Sequence, residues 1–123
     1  MSSFEDQVAS AIAAHGQWKS RLRTAITSGK SEFSADTVAK DNACAFGAWL
    51  YADGRRDFAN EATFTAIRDL HAEFHREAAG VLSLALAGKK DAAEAAIGLG
   101  SPFGKTSANL VSALARARAQ HAA

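Results

Sequence analysis

The chain has 123 residues, 48% of them hydrophobic, and 14 basic residues against 13 acidic ones. This length predicts one domain over residues 1–123, and the near-even charge gives no electrostatic reason to expect a nucleic-acid partner. No apolar run approaches the roughly 20 residues of a membrane-spanning helix, and the polar N-terminus lacks the features of a secretory signal. Since a lone cysteine cannot form an internal disulfide, we expect a cytoplasmic protein without membrane contact.

The first predicted helix runs from about Ser3, its expected N-cap, to Ser28, before Gly29. Its apolar positions recur every three or four residues and indicate one buried face: Phe4, Val8, Ile12, His15, Trp18, Leu22 and Ile26. His15 therefore lies in the middle of a buried face, where an imidazole needs a polar partner. Trp18 is expected to pack in the core.

A short second helix is predicted around the only cysteine. Residues 30–40 have no helical period, which indicates a loop or a single turn. Asp41 is the expected N-cap of a helix to about residue 52, ended by Asp53 and Gly54. Cys44 falls in the first turn of this helix, where free N–H groups favour a thiolate.

The third predicted helix extends from about Asn60 to Ala87. Its buried face is indicated by Phe64, Ile67, His71, Phe74, Ala78, Leu82 and Leu86, with Leu70 and His75 beside it. His71 and His75 are four residues apart and project from the same side of the helix, one turn apart. Gly80 in this helix and Gly47 in the preceding one are expected to allow close approach of a neighbouring element.

The C-terminal third predicts two further helices. Asp91 and Glu94 match a capping box that starts a helix to about Gly98, and Ser101 with Pro102 starts a last helix to about residue 120. One long helix from Asp91, kinked at the proline, is the alternative. The abundance of alanine and the short connections predict an all-α, antiparallel bundle of four to five helices.

Three of the four histidines and the only cysteine form a candidate metal site: His15, Cys44, His71 and His75. Each alone has a simpler explanation as a buried core residue, but several buried imidazoles without partners would be costly. Three imidazoles and a thiolate suit Zn²⁺. Because four protein ligands close a tetrahedral site, this set favours structure or regulation over catalysis. The fourth histidine, His121, is expected to be a solvated residue without a role.

The residues around these ligands resemble a known family. The segments HGQWKSRL (15–22), CAFGAWLY (44–51) and HAEFH (71–75) are similar, in the same order and with similar gaps, to the three motifs of the CZB domain, the chemoreceptor zinc-binding domain. The resemblance covers about residues 4–86 clearly and extends to the C-terminal third only in its helical character. All four ligand positions are present.

The resemblance implies a bacterial, cytoplasmic signalling domain that binds one Zn²⁺ through His15, Cys44, His71 and His75 and acts as a homodimer. In the family, zinc occupancy or oxidation of the zinc-bound cysteine, here Cys44, by hypochlorous acid alters the output. CZB domains are commonly fused to chemotaxis or diguanylate cyclase regions, and this sequence contains neither. We therefore expect the output to pass to a partner in a chemotaxis or cyclic-di-GMP pathway.

Two other functions stay open from the sequence. A purely structural zinc bundle or a zinc buffer would use the same ligands without signalling. A metalloenzyme is less favoured, because the glutamate of HAEFH does not occupy the position of the catalytic base in His-Glu-x-x-His. We therefore expect no catalytic residues and no enzyme activity. Asp69 and Glu73 flank the histidine pair, but their helical offset from His71 favours a solvated position.

Overall fold

The computed structural model describes residues 4–58 and 60–122, and every regular element in that part of the chain is helical. The elements are α1 (Phe4–Ser28), α2 (Ala35–Val38), α3 (Ala45–Trp49), a π-helical turn (Leu50–Gly54), α4 (Arg55–Asp57), α5 (Glu61–Leu86), α6 (Lys90–Ala96) and α7 (Pro102–Ala122). The predicted all-α fold is confirmed.

The three long helices α1, α5 and α7 pack against one another and form the body of the bundle. The ring of Phe4, at the start of α1, lies 5.1 Å from that of Phe58, which precedes α5, and 4.4 Å from that of His121, at the end of α7. Near the middle of both helices, the ring centroid of His15 in α1 lies 5.0 Å from that of His71 in α5. The helix α7 therefore runs antiparallel to the other two, as predicted, whereas α1 and α5 run parallel.

The parallel pair follows from the length of its connection. Residues 29–60 run back along the bundle and return the chain to the end at which α1 began, and α2 and α3 lie on this return path. Short connections hold α5, α6 and α7 together, and there the antiparallel expectation is met. The return path carries Cys44 past the middle of α1 and α5.

The core consists of the predicted apolar faces. Its fully buried side chains include Val8 and Leu22 of α1, Ile67, Phe74 and Leu82 of α5, and Leu110 and Leu114 of α7. Trp18 is partly buried and packs against this core, as expected. Leu86 was predicted to be buried but is 42% exposed, because it ends α5, and Ala85 takes the buried position.

The starts of α5 and α7 agree with the sequence analysis, and the start of α6 does not. Asn60 caps α5 through its side chain, which accepts a hydrogen bond from the Thr63 N–H, and Ser101 accepts one from the Gly104 N–H before α7. The capping box at Asp91 is wrong: the N-cap of α6 is Lys89, two residues earlier, and it makes no side-chain capping bond. The helices α6 and α7 are separate, which excludes the single kinked helix.

The helix around the cysteine begins later and ends later than predicted. Its N-cap is Cys44 itself and not Asp41, because the Cys44 side chain accepts the Gly47 N–H. Asp53 and Gly54 do not end it. The helix continues instead through the wider π-helical turn and then through α4. Ser3, the expected cap of α1, lies outside the described residues.

Two further expectations are corrected at single positions. Gly80 lies on an exposed face of α5 with open space where a side chain would project, so it marks no close approach. His121 is exposed, as expected, but it is not without contacts: its ring stacks on Phe4, and its Nδ1 lies 3.1 Å from the Glu5 carboxylate. This contact joins the end of α7 to the start of α1. Among the described residues, no helix combines the length and the hydropathy needed to span a membrane.

Candidate metal centre

The four predicted ligands converge in the middle of the bundle. His15 projects from α1, Cys44 precedes α3, and His71 and His75 project from α5, and their ligand atoms all lie within 4.8 Å of one another. The three histidines are almost fully buried, and Cys44 is partly buried. No aspartate or glutamate of the described residues belongs to the group. The structure therefore brings together every residue that the sequence proposed for this site.

Two of the distances between ligand atoms are close to those of a tetrahedral metal site. The Cys44 Sγ lies 3.3 Å from the His71 Nε2, and that nitrogen lies 3.1 Å from the His75 Nε2. Zinc bond lengths place two tetrahedral nitrogens about 3.3 Å apart, and a nitrogen and a sulfur about 3.6 Å apart. One Zn²⁺ at the centre requires shifts of only a few tenths of an ångström for these two pairs.

Backbone carbonyls orient two of the imidazoles. The His15 Nδ1 lies 2.6 Å from the Ala11 oxygen, one turn earlier in α1, and the His75 Nδ1 lies 2.9 Å from the oxygen of Val38, which ends α2. A carbonyl only accepts, so Nδ1 carries the proton in both rings and Nε2 keeps its lone pair for a metal. This second contact also fastens α2 to the site.

His71 is held in a different way. Its Nδ1 is buried and, among the described residues, has no hydrogen-bond partner. The ring is enclosed by aromatic neighbours instead, with centroids 4.5 Å from His75 and 5.1 Å from Phe46. Packing therefore orients this imidazole, and its Nε2 lies between the sulfur and the other nitrogen.

Burial keeps the three histidines neutral. Loss of hydration lowers the pKa of His15 to about 4, although its hydrogen bond to Ala11 acts in the opposite direction. Burial, with the neighbouring imidazoles as a smaller cause, lowers the pKa of His71 to about 2. Burial also lowers the pKa of His75. A neutral imidazole is the protonation state that a metal ion needs.

The expectation that the helix start makes Cys44 a thiolate is corrected. The Gly47 N–H donates to the Cys44 sulfur over 3.3 Å, as expected at the start of a helix, and such bonds lower the pKa of a thiol. Burial outweighs them and raises the pKa of Cys44. The helix start alone therefore does not make this residue a thiolate at neutral pH, and deprotonation requires a cation at the site.

Aromatic side chains surround the ligands. The Phe46 ring lies 6.0 Å from His15 and 5.1 Å from His71, and the Phe74 ring lies 4.9 Å from His15. Trp49 is partly buried and packs against Phe4 and the core. The flanking acids take no part: Asp69 pairs with Arg68 and Glu73 with Arg76 on the surface.

Sequence reasoning missed the residues that orient the ligands, Ala11, Val38 and Phe46. The two carbonyls have no signature in the sequence, because every residue carries one. Phe46 could have been found, since it lies two residues after the cysteine in a motif that had already been singled out.

A surface cavity gives access to the cysteine side of the site. It has a volume of about 300 Å³ and is lined by Cys44 and His75 together with Trp18, Arg21, Phe33 and Lys40. The guanidinium of Arg21 lies over the rings of Trp18 and Phe33, 5.1 Å and 5.3 Å from their centroids. Small molecules can therefore approach the sulfur without passing through the core.

Comparison with known proteins identifies the family. Residues 15–82 match the chemoreceptor zinc-binding domain, CZB, and this segment contains all four clustered side chains. No curated protein and no solved structure matches the chain. Because the matched segment covers more than half of the sequence, the chain belongs to the CZB family.

Proposed function

We propose that this protein is a zinc-dependent regulatory module in which His15, Cys44, His71 and His75 hold one Zn²⁺. The observation that carries the proposal is the convergence of one sulfur and three imidazoles, from separate elements, inside a domain of a zinc-binding family. Bound zinc supplies a cross-link between these elements and stabilises the thiolate.

The proposed mechanism couples the occupancy of the site to helix packing. The ligands come from α1, the start of α3 and α5, so release of one ligand removes a link between elements that are far apart in sequence. Cys44 is the link most open to chemical change, because it is partly buried and borders the surface cavity. The imidazoles are almost fully buried, and only the His75 side chain lines the same cavity.

Two inputs act on the same link. Withdrawal of zinc removes the cross-link altogether. Oxidation of the Cys44 thiolate to a sulfenic acid replaces a strong ligand by a weak one and loosens the link while the histidines remain in place. The 300 Å³ cavity beside the sulfur supports this second route, because it admits a small oxidant.

The change is passed on to another protein. We propose a homodimer in a bacterial cytoplasm that acts on a chemotaxis or cyclic-di-GMP pathway protein, on the basis of the family to which the chain belongs. No enzyme activity is part of the proposal: four protein ligands leave no open position for a substrate, and no carboxylate of the described residues joins the cluster to act as a base.

The first test is the metal content of the purified protein. We expect about one zinc per chain in the wild type by elemental analysis, and little or none in Cys44→Ala and His71→Ala. His121→Ala is the matched control, since it removes a histidine outside the cluster and should keep the metal. A wild type that folds without taking up zinc would contradict the proposal.

A second test separates regulation from storage or structure. The zinc-loaded, zinc-stripped and oxidant-treated forms are compared by analytical ultracentrifugation and by binding to candidate pathway proteins. A regulatory module changes its dimerisation or its partner affinity between these forms. A zinc buffer or structural bundle loses metal, and stability with it, but binds its partners unchanged.

A further inference from the structure

We infer that Tyr51 is a positioning residue for the Cys44 ligand: its hydroxyl group holds Asp41, and through Asp41 it fixes the loop that carries the sulfur. The inference rests on the proposed zinc site and goes beyond it, because Tyr51 is not one of the ligands. We call residues 41–43 the cysteine loop.

Cys44 is the only proposed ligand whose position depends on a loop. The histidines project from the long helices α1 and α5, whose backbones are held by regular helical hydrogen bonds. Cys44 stands before its helix with an extended backbone, φ −86° and ψ 161°. Residues 41 and 42 form a turn, but outside the helices of the described residues no backbone hydrogen bond of good geometry involves residues 41–43. The loop must therefore be held by other contacts.

The contacts of Asp41 hold the cysteine loop. The Tyr51 hydroxyl donates a hydrogen bond to the Asp41 Oδ2. The Asp41 carbonyl oxygen lies against the bare Cα of Gly47, where a Cβ would overlap it. The Cys44 sulfur lies 4.0 Å from the same carbonyl oxygen. One residue thus connects the tyrosine, the start of α3 and the proposed ligand.

The helical geometry explains why Tyr51 reaches this loop. Gly47 and Tyr51 are four residues apart on one continuous helical segment and so occupy the same side of it. The first presents bare backbone to the Asp41 carbonyl, and the second presents its hydroxyl group to the Asp41 carboxylate. Tyr51 lies in the π-helical turn that follows α3, and such turns recur at functional sites.

The hydrogen bond is placed to act on the sulfur and not on the whole fold. The Tyr51 side chain is half exposed and lies outside the core, so removal of its oxygen opens no cavity. The carbonyl contacts of His15 and His75 do not involve it. Loss of the hydroxyl group therefore frees the cysteine loop while the imidazoles stay in place, and the bond that weakens is the one between the metal and the sulfur.

The test uses the full chain loaded with zinc, and with cobalt as a spectroscopic probe. In Tyr51→Phe we expect zinc to pass to a chromogenic chelator about fivefold faster, the effect of one lost hydrogen bond. The sulfur-to-cobalt charge-transfer band should weaken while far-ultraviolet circular dichroism stays unchanged. A purely structural role of the tyrosine would not change this band.

Two substitutions at Asp41 separate the hydrogen bond from the residue itself. Asp41→Asn keeps an acceptor oxygen and should behave nearly as the wild type, whereas Asp41→Ala should reproduce Tyr51→Phe. The double variant Tyr51→Phe/Asp41→Ala should release zinc no faster than either single variant. Glu61→Gln is the control, because it breaks an exposed ion pair with Arg55 and leaves the cysteine loop untouched.

The outcomes distinguish this inference from the proposed function. Wild-type protein that binds zinc, with a Tyr51→Phe variant that releases it at the wild-type rate and keeps the cobalt band, would overturn the inference alone. Fully additive effects of the Tyr51 and Asp41 substitutions would also overturn it. A wild type that binds no zinc would overturn the proposed function and the inference together.

Discussion

At the scale of single residues, the three clustered histidines should give the zinc-free protein a pH-dependent stability. In the folded protein, burial is the main cause that lowers the pKa values of all three histidines. The pKa is about 4 for His15 and about 2 for His71, and that of His75 is also lowered. In the unfolded chain they titrate near 6.5. As the pH falls from 6.5 towards 4, protons bind mainly to the unfolded chain, so acidification destabilises the fold by up to about 1.4 kcal/mol per pH unit and histidine.

Urea unfolding of chelator-treated protein between pH 7.5 and pH 4.5 measures this effect. We expect the free energy of unfolding to be fully retained above pH 7 and to decline through the acid range. His15→Gln removes one of the three groups and should make the decline shallower by about one proton. A free energy of unfolding that does not depend on pH in this range would show that the zinc-free histidines are solvated.

The ligands themselves could be predicted from residue types and spacing, but their environment could not. Two histidines one helical turn apart, a third on a buried face and a lone cysteine form a recognisable metal-binding set. The carbonyls of Ala11 and Val38 that orient the rings depend on the path of the backbone. The direction of the Cys44 pKa shift depended on whether burial or the Gly47 N–H had the larger effect, and only the structure shows that burial does.

At the scale of the elements, we expect substitution by alanine to destabilise the protein at Gly47 and to stabilise it at Gly80. A Cβ at Gly47 would overlap the Asp41 carbonyl oxygen, which is backbone and cannot move without displacing the loop before Cys44. We therefore expect Gly47→Ala to cost about 1–3 kcal/mol of stability, as overpacked substitutions do. Zinc affinity should fall by roughly the same free energy, which corresponds to about 5- to 150-fold.

Gly80→Ala is the matched control, because Gly80 is exposed within α5 and has nothing within 4 Å of an added Cβ. There the substitution should stabilise the protein by about 0.5–1 kcal/mol, since alanine loses less backbone entropy in a helix, and it should leave zinc binding unchanged. Chemical denaturation and chelator competition measure both variants. Equal effects of the two substitutions would contradict the close approach at Gly47.

The long helices could be predicted from the sequence because their patterns repeat over many turns, and the short ones could not. Apolar periodicity indicates α1 and α5 nearly to their ends. The region of α3 is too short for a period, and its start depends on a cysteine side chain that acts as an N-cap, a role that serine or aspartate usually takes. The π-helical turn after Trp49 has no comparable sequence signal, so Asp53 and Gly54 were misread as a helix end.

At the scale of the whole molecule, local sequence patterns could not predict that α5 runs parallel to α1. Short connections favour antiparallel neighbours, but residues 29–60 are long enough to return the chain to its starting end. This topology places α2 against α5 and α3 against α1, so that Cys44 lies between two contacts with the long helices. The segment from residue 35 to residue 49 is therefore the part of the fold that depends most on the metal.

Removal of zinc should accordingly loosen this segment before the rest of the bundle. It is fastened to the long helices by Cys44, by the bond from Val38 to His75 and by a few buried side chains such as Phe46. The helix α7, in contrast, packs against both α1 and α5, buries Leu110 and Leu114 and carries no proposed ligand. Local openings of this kind have lower free energies than global unfolding.

Hydrogen exchange followed by mass spectrometry tests this order. In zinc-free protein we expect amides in residues 35–49 to exchange at least tenfold faster than in the zinc-loaded form, because few other contacts hold that segment. Amides of α7 around Leu110 should stay protected in both forms. The zinc-loaded His121→Ala protein is a control that keeps all four ligands. If protection fell together in both regions, zinc would stabilise the bundle as one unit, and a structural role would replace the regulatory one.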